Sequence, residues 1–403
     1  MPWTMRMTLM LALAGLAFQF YIGRKTTNAL ATLTGWPKKR IRLSAAAIAL
    51  WVVTYPLVVL TSYIFQINGV YQSFQASSLA RDALITYPFW IGVILAIQLA
   101  LFFLVLDAAR LLLLPVYKRH KPKWLRVEAW AVLALFCAGL VYVVARVYVD
   151  LNHTRIRRTE LQIASLPKEL DGFRIVQIAD VQADGRTTAA RVRRHIDAVN
   201  RSNPDLVLVA GDLVTSGTGY IEAGAAALGR IQSRHGVYAC LGDHDFFSNR
   251  DSVTRNLEKN GITVLDNTSV VVPVGSTSLS LTGITNVYPS RPPRATLDTV
   301  EQHREHRAVN ILLTHQPSNT LVDWARQKGY DVFLAGHTHG GQIVFPLPGF
   351  LLTGSSFETR YVSGFYKTGG MLVSINNGLG VTLAPVRYNA PAEVTLIVLK
   401  AVN

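Results

Sequence analysis

Two patterns of apolar positions divide this chain of 403 residues. Up to about residue 150 the apolar positions run without charge in four long stretches, 7–23, 43–67, 83–106 and 129–145. About 20 apolar residues, with a working range of about 17–25, carry an α-helix across the hydrocarbon core of a bilayer. The second and third stretches meet that length, and apolar or aromatic flanks extend the first and fourth. The pattern therefore predicts four transmembrane helices within residues 1–150. The first stretch also reads as a cleaved signal peptide, since Arg6 precedes a short core. Pro56 and Pro88 are compatible with membrane helices.

From residue 173 the pattern shortens. Apolar, β-branched runs end in polar or glycine-rich turns at 174–179, 206–210, 237–241, 311–314, 332–335 and 371–375. Runs apolar throughout fit strands buried on both faces of a sheet. Stretches with helical spacing lie between several of them, at 187–200, 220–232 and 317–328, and residues 270–284 read as a hairpin turning at Gly275. This alternation predicts a layered α/β domain over residues 151–403. The junction at 146–172 is a short charged stretch rather than a long tether.

Composition sharpens the division. Half of the chain is hydrophobic and 16% is charged, yet the net charge is +15; an average soluble domain is roughly 25% charged. The apolar content excludes a disordered chain. Two cysteines, Cys137 and Cys240, in unlike surroundings exclude a disulfide framework. Residues 1–150 hold 15 Lys and Arg against 4 Asp and Glu, whereas residues 151–403 hold 25 against 21. Arg24, Lys25, Lys38, Lys39, Arg40 and Arg42 fill one loop between apolar stretches, and Arg110, Lys118, Arg119, Lys121, Lys123 and Arg126 another. Short basic loops stay cytoplasmic. With four spans, that places residues 151–403 on the extracytoplasmic face of the cell (inner) membrane, although Arg155, Arg157 and Arg158 run against the rule. Asp107, at the end of the third stretch, reads as an acid at a helix terminus reaching for the interface. The nearly balanced globular half has no basic–aromatic stripe and gives no footing for a nucleic-acid partner.

Chemically capable residues gather where the strands end. Asp180 follows the first run, Asp212 the second, and Asp243, His244 and Asp245 the third; His315 follows the run at 311–314, and His337 and His339 the next. In an open α/β sheet, ligands bind beyond the carboxyl ends of strands, so these groups converge on one crevice. Asp and His supply the oxygen and nitrogen ligands of divalent Zn, Mn, Fe and Ni. Six or seven such groups exceed the needs of one ion. They suit a pair, roughly 3.5–4 Å apart, that clamps the attacking and leaving oxygens of a displacement at phosphorus. Cys240 reads as core, and His195, His235, His303 and His306 as surface or packing residues.

These motifs resemble the calcineurin-like metallophosphoesterase superfamily. Its pattern of Asp-x-His, Gly-Asp, Gly-Asn-His-Asp, a lone His after a strand and Gly-His-x-His stands here as Asp180-Val181-Gln182, Gly211-Asp212, Gly242-Asp243-His244-Asp245, Thr314-His315 and Gly336-His337-Thr338-His339, within about residues 173–396. Asn376-Asn377-Gly378-Leu379-Gly380 and Pro385-Val386-Arg387, with the apolar front end, look like a membrane-attached bacterial subfamily. The resemblance implies a four-layer α/β (α+β) metallophosphoesterase sandwich behind the four spans. It implies that Asp212 bridges two divalent ions, that Asp180, His339 and Gln182 hold the first, and that Asp243, His315 and His337 hold the second. It implies His244 as general acid or stabiliser of the phosphoryl oxygens. Two positions depart from the family: Gln182 stands for His and Asp243 for Asn. An amide oxygen is a harder and weaker donor than imidazole, which favours manganese among Mn, Zn, Fe and Ni. Asp243 adds negative charge, which holds a dication and repels a phosphate.

The expected function is metal-dependent hydrolysis of phosphoester or pyrophosphate bonds, with membrane lipids as neighbours and lipid headgroups or nucleotide-sugar lipids as candidate substrates. The contrary reading is a membrane binding or sensory protein whose site Gln182 has made degenerate. Asp245 either orients His244 or closes its turn, and Arg387 either meets a phosphate or pairs structurally. The apolar residues at 343–352 either dip toward a bilayer or form a buried strand and turn.

Overall fold

The computed structural model describes residues 3–65, 67 and 78–402. The chain divides into two compact units, Met1–Tyr148 with Leu383–Val386, and Val149–Thr382 with Arg387–Asn403.

The first unit is helical. It comprises α1 (Trp3–Thr34), α2 (Lys38–Val52), α3 (Thr54–Ile64), α4 (Asp82–Leu112), α5 (Leu114–Arg119) and α6 (Lys121–Asn152), the last continuing into the second unit. By length and composition α4 and α6 suffice to cross a membrane. The stretch at 43–67 does not form one straight helix: α2 and α3 meet at a bend of 51° and count as a third span only together. Pro56 explains the break. It lies in the first turn of α3, has no N–H to donate, and would drive its ring into the Val52 carbonyl of a continuous helix. Pro88 is accommodated by a π-helical turn, Asp82–Thr86, at the start of α4. Two or three membrane-length segments thus stand among the described residues where the sequence pattern predicts four. Several side chains of the first stretch, 7–23, lie outside those described. Asp107 is tied into the bundle: it accepts hydrogen bonds from Tyr21 (2.5 Å) and Lys25 on α1, and Lys25 also reaches Glu128 on α6 at 2.9 Å.

The second unit is built on two mixed six-stranded sheets. In spatial order the first holds β1 (Arg155–Ile163), β14 (Glu393–Ala401), β2 (Arg174–Ile178), β3 (Leu206–Ala210), β4 (Val237–Cys240) and β5 (Ile262–Val264). The second holds β12 (Gly364–Thr368), β13 (Met371–Ile375), β9 (Val332–Ala335), β8 (Val309–Thr314), β7 (Thr277–Ile284) and β6 (Thr268–Val274). A small hairpin, β10 (Phe345–Leu347) and β11 (Phe350–Leu352), stands apart from both. The helices are α7 (Ala189–Arg201), α8 (Ile221–Leu228), α9 (Asp243–Lys259), α10 (Arg294–His303) and α11 (Asn319–Gln327).

Side-chain alternation assembles the layers. From β3, Leu206, Leu208 and Ala210 meet Ile311, Leu313 and Leu334 of the second sheet in one core. Val207 and Val209 point the other way, into a core with Ile196 of α7, Leu228 of α8 and Val253 of α9. On the second sheet, Leu312 and Phe333 likewise turn outward onto Leu297 of α10 and Val322 of α11. Helices, sheet, sheet and helices therefore form a four-layer sandwich. Both faces of each central strand are covered, which is why these strands read as unbroken apolar runs. The segment at 146–172 is more than a junction. It contains β1, paired in parallel with β14 over nine residues from Arg155↔Glu393 to Ile163↔Ala401. Arg157 seals the pair from the side, donating Nε–H to the buried Glu393 carboxylate at 2.7 Å.

Candidate metal centre

Strands of both sheets deliver the candidate ligands. Asp180, Asp212 and Asp243 follow β2, β3 and β4, while His315, His337 and His339 follow β8 and β9. The crevice is thus the meeting of two sheets' carboxyl ends. Glycine permits the approach: a Cβ on Gly242 would fall 2.1 Å from Asp212 Oδ1, and one on Gly336 would fall 2.5 Å from Asp180 Oδ2. The turns are so tight that Asp180, Gln182, Asp212, His337 and His339 all take φ between 48° and 70°. Left-handed backbone costs a non-glycine residue of order 1–3 kcal/mol and clusters at functional sites.

The hydrogen bonds fix which atoms face inward. His315 donates Nδ1–H to the Ala210 carbonyl (2.8 Å), so its Nε2 lone pair lies 3.3 Å from both Asp212 Oδ2 and Asp243 Oδ2. His337 places Nδ1 3.0 Å from the same Asp243 oxygen. Its backbone N–H donates to Asp180 Oδ2 at 2.9 Å. His339 Nε2 lies 3.4 Å from Asp180 Oδ1, and Gln182 donates Nε2–H to Asp212 Oδ2 at 2.9 Å. Two sets bring their donor atoms within 4.8 Å of one another: Asp243 with His315 and His337, and Asp180 with Asp212 and His315. Gln182 Oε1 and His339 Nδ1 are buried with no protein partner. In folded proteins at large, buried polar atoms are almost always satisfied. A set of carboxylate, imidazole and amide donors with unspent buried atoms fits divalent cations.

Electrostatics point the same way. Burial and the neighbouring Asp212 push the Asp180 carboxyl up to about 6. Burial works against charging His315 and His337, yet the surrounding carboxylates prevail, raising His315 well above its ordinary value and His337 to about 9. Asp243 would rise on burial, but its bonds to those two rings hold it well below the usual carboxylate range. Protons on imidazoles therefore offset the crowded acids, a duty that dications discharge more fully. Burial and the Arg387 charge keep His339 neutral, the form that can donate a lone pair.

The family model for calcineurin-like phosphoesterases matches residues 173–341, a span that carries every candidate ligand. The chain is 30% identical over 255 residues to the metallophosphoesterase YkuE of Bacillus subtilis, covering 62% of this chain and 87% of that one. It belongs to the calcineurin-like phosphoesterases. This phosphoesterase is also 28% identical over 231 residues to the phosphodiesterase YaeI of Escherichia coli, covering 56% of this chain and 81% of that one. It is 29% identical over 258 residues to a transmembrane protein with metallophosphoesterase domain of Danio rerio, covering 60% of this chain and 56% of that one. As a member of this family it is a metal-dependent phosphoesterase.

The open alternatives around the phosphoesterase centre now close. Asp245 closes the turn: Oδ2 accepts from the N–H groups of Asp212 and Gly242, both at 2.9 Å, and Oδ1 from that of Leu213 at 2.8 Å. His244 gives its backbone N–H to Asp212 Oδ1 (2.8 Å) and contacts the Thr215 carbonyl through Nδ1 at 2.5 Å, which leaves Nε2 for the crevice. Arg387 is structural. Fully buried, it donates to the carbonyls of Gly380, Asn377, Ala390 and His339 at 2.5–3.2 Å. The stretch at 343–352 divides: Val344 and Phe345 are buried, Phe350 and Leu351 exposed. His195 is a buried packing residue, 2.7 Å from Thr154 Oγ1.

Sequence reasoning missed three supports. Gln316 donates Nε2–H to both Asp243 oxygens at 2.9 and 2.8 Å; its place beside His315 is the one signal it carried. The Tyr288 backbone N–H donates to Asp243 Oδ1 at 2.5 Å, and Glu358 Oε1 lies 3.1 Å from His337 Nε2. Neither loop has a periodicity or motif that would single it out. Arg387→Lys tests the structural assignment. Three donors cannot replace the guanidinium's five bonds, so stability should fall by roughly 2–4 kcal/mol as charge-assisted bonds are lost and buried carbonyls go unpaired. The urea unfolding midpoint measures it, and an unchanged midpoint contradicts the assignment.

Proposed function

We propose a multi-pass enzyme of the inner membrane that uses two divalent ions, manganese by preference, to hydrolyse phosphoester or pyrophosphate bonds in lipid headgroups or nucleotide-sugar lipids. Its four spans follow the apolar stretches, and its catalytic unit lies on the extracytoplasmic side. The observation that carries the lipid reading is a rim of exposed apolar side chains. Phe247 stands edge-on to His244 with ring centroids 6.4 Å apart, and Tyr288 to His337 at 5.4 Å. Phe357, 88% exposed, directly precedes Glu358, the partner of His337. Leu351, also exposed, accepts a hydrogen bond from Ser356 at its carbonyl (2.9 Å), joining the β10–β11 tip to this rim. Contiguous exposed apolar surface marks partner or membrane contact.

In this reading Asp212 would serve both ions, Asp180, His339 and Gln182 would complete the first site, and Asp243, His315 and His337 would complete the second. When bound, the metals supply Lewis acidity at phosphorus and bring the pKa of water toward neutrality. The chain's own residues do the rest. His315 has committed its Nδ1–H to Ala210 and presents a fixed lone pair. The Gln182 amide oxygen, harder than imidazole, is the source of the manganese preference. His244, anchored to Thr215 through Nδ1, offers Nε2–H in its protonated form to the leaving oxygen and to charge developing on the phosphoryl group.

Four measurements test this reading. Metal analysis of the purified protein should find two divalent ions with manganese the best activator, and Asp212→Ala should lower turnover of a chromogenic phosphodiester by at least about a thousandfold. Near-normal turnover in that variant refutes the dinuclear assignment. Alkaline phosphatase fused after residue 160 should be active, since the enzyme matures outside the cytoplasm; an inactive fusion with normal expression reverses the topology. For the rim, Leu351→Ser/Phe357→Ser should lower the ratio of lipid phosphoester to soluble phosphodiester turnover in mixed micelles by about tenfold, in line with roughly 1.5–3 kcal/mol for burying one large apolar side chain. An unchanged ratio removes the lipid reading.

A further inference from the structure

Glu358 is a surface acid by sequence, yet its segment is pinned on both sides to the loops that carry the candidate ligands. Before it, Thr353 Oγ1 donates to the Gly341 carbonyl at 2.7 Å and Ser355 Oγ to the Thr338 carbonyl at 3.1 Å. After it, the buried Thr359 Oγ1 donates to the Pro317 carbonyl at 2.9 Å, two residues beyond His315. The Glu358 carboxylate is thereby held 3.1 Å from His337 Nε2. Tyr288 supports it from the other side. Its hydroxyl donates to Glu358, its backbone N–H donates to Asp243 Oδ1, and its ring stands edge-on to His337.

The arrangement sets a contest over one proton. Both nitrogens of His337 face carboxylates, Nε2 facing Glu358 and Nδ1 facing Asp243. A neutral imidazole has one N–H and one lone pair. If Asp243 took the N–H, the lone pair would face Glu358, and the ring could not serve a cation held with Asp243 and His315. If Glu358 takes it, the lone pair joins those two residues. Partners of this kind behind a ligand histidine change metal affinity by about 10–100-fold.

We propose that Glu358, steadied by Tyr288, is a positioning residue that holds the N–H of His337 on Nε2 and so commits Nδ1 to a cation at Asp243 and His315. This rests on the reading of Asp243, His315 and His337 as one metal set. The full chain in detergent, stripped of metal and titrated with cobalt alone, tests both claims separately. The wild type should bind cobalt with a visible ligand-field band, and Asp243→Ala should remove one site; without that, the metal reading fails. Glu358→Ala should then weaken one site by about 10–100-fold and alter its band. Glu358→Gln, whose amide oxygen still accepts from Nε2–H, should restore affinity to within about threefold of wild type, and Tyr288→Phe should weaken the site less than Glu358→Ala does. The inference is overturned if Glu358→Ala leaves affinity and spectrum unchanged, or if Glu358→Gln behaves like the alanine variant. Melting of the metal-free variants separates loss of fold from loss of the site: Glu358→Ala should melt as the wild type does, and a lowered melt with an unchanged spectrum counts against positioning.

Discussion

Three carboxylates, Asp180, Asp212 and Asp243, are buried beside one another, and this concentration of negative charge governs what surrounds them. Isolated buried charges are expensive unless paired and hydrogen-bonded. The fold meets that demand with whatever donors lie in reach. Backbone N–H groups of His244, His337 and Tyr288 and the amides of Gln182 and Gln316 are all spent on these acids. The glycines that allow close approach and the left-handed turns that hold the candidate ligands follow from the same need. Few loop geometries put so many carboxylates at one point.

Arg387 shows the converse economy. A buried cation near acids ordinarily pairs with one of them. Its guanidinium instead ties together four carbonyls, one of them that of His339. It lends positive potential without occupying a ligand, and that potential helps to keep the His339 ring neutral. Structure and electrostatics are served by one side chain that does not touch the crevice's donor atoms.

Much of this was legible in the sequence, for a physical reason. Strands covered on both faces, such as Leu206–Ala210 and Val332–Ala335, must be apolar throughout, and the acids and histidines that follow them break that pattern sharply. What remained hidden was partnership. Arg155–Ile163 alternates exposed and part-buried positions with four charged residues, so it reads as a linker until β14 is known to lie beside it. That two sheets rather than one supply the site is a fact of pairing, on which a local pattern is silent. Likewise α9 opens on the motif itself and continues through mostly polar residues. The bend between α2 and α3 was hidden because Pro56 reads as tolerable by hydropathy, while its cost is a clash set by backbone geometry. Tyr288 and Glu358 act through the ligands from loops whose sequence is unremarkable.

The place of β14 bears on how the protein comes into being. It lies between β1 and β2, and 236 positions separate Arg157 from its partner Glu393. The sheet that presents Asp180 and Asp212 therefore stays incomplete until residues 393–401 have been made. Pairings this distant are slow to form and leave strand edges open in the interval. The apolar helices precede β14 in the chain and are made before it. Until β14 arrives the acidic crevice is half built, with the edges of β1 and β2 that it joins left open.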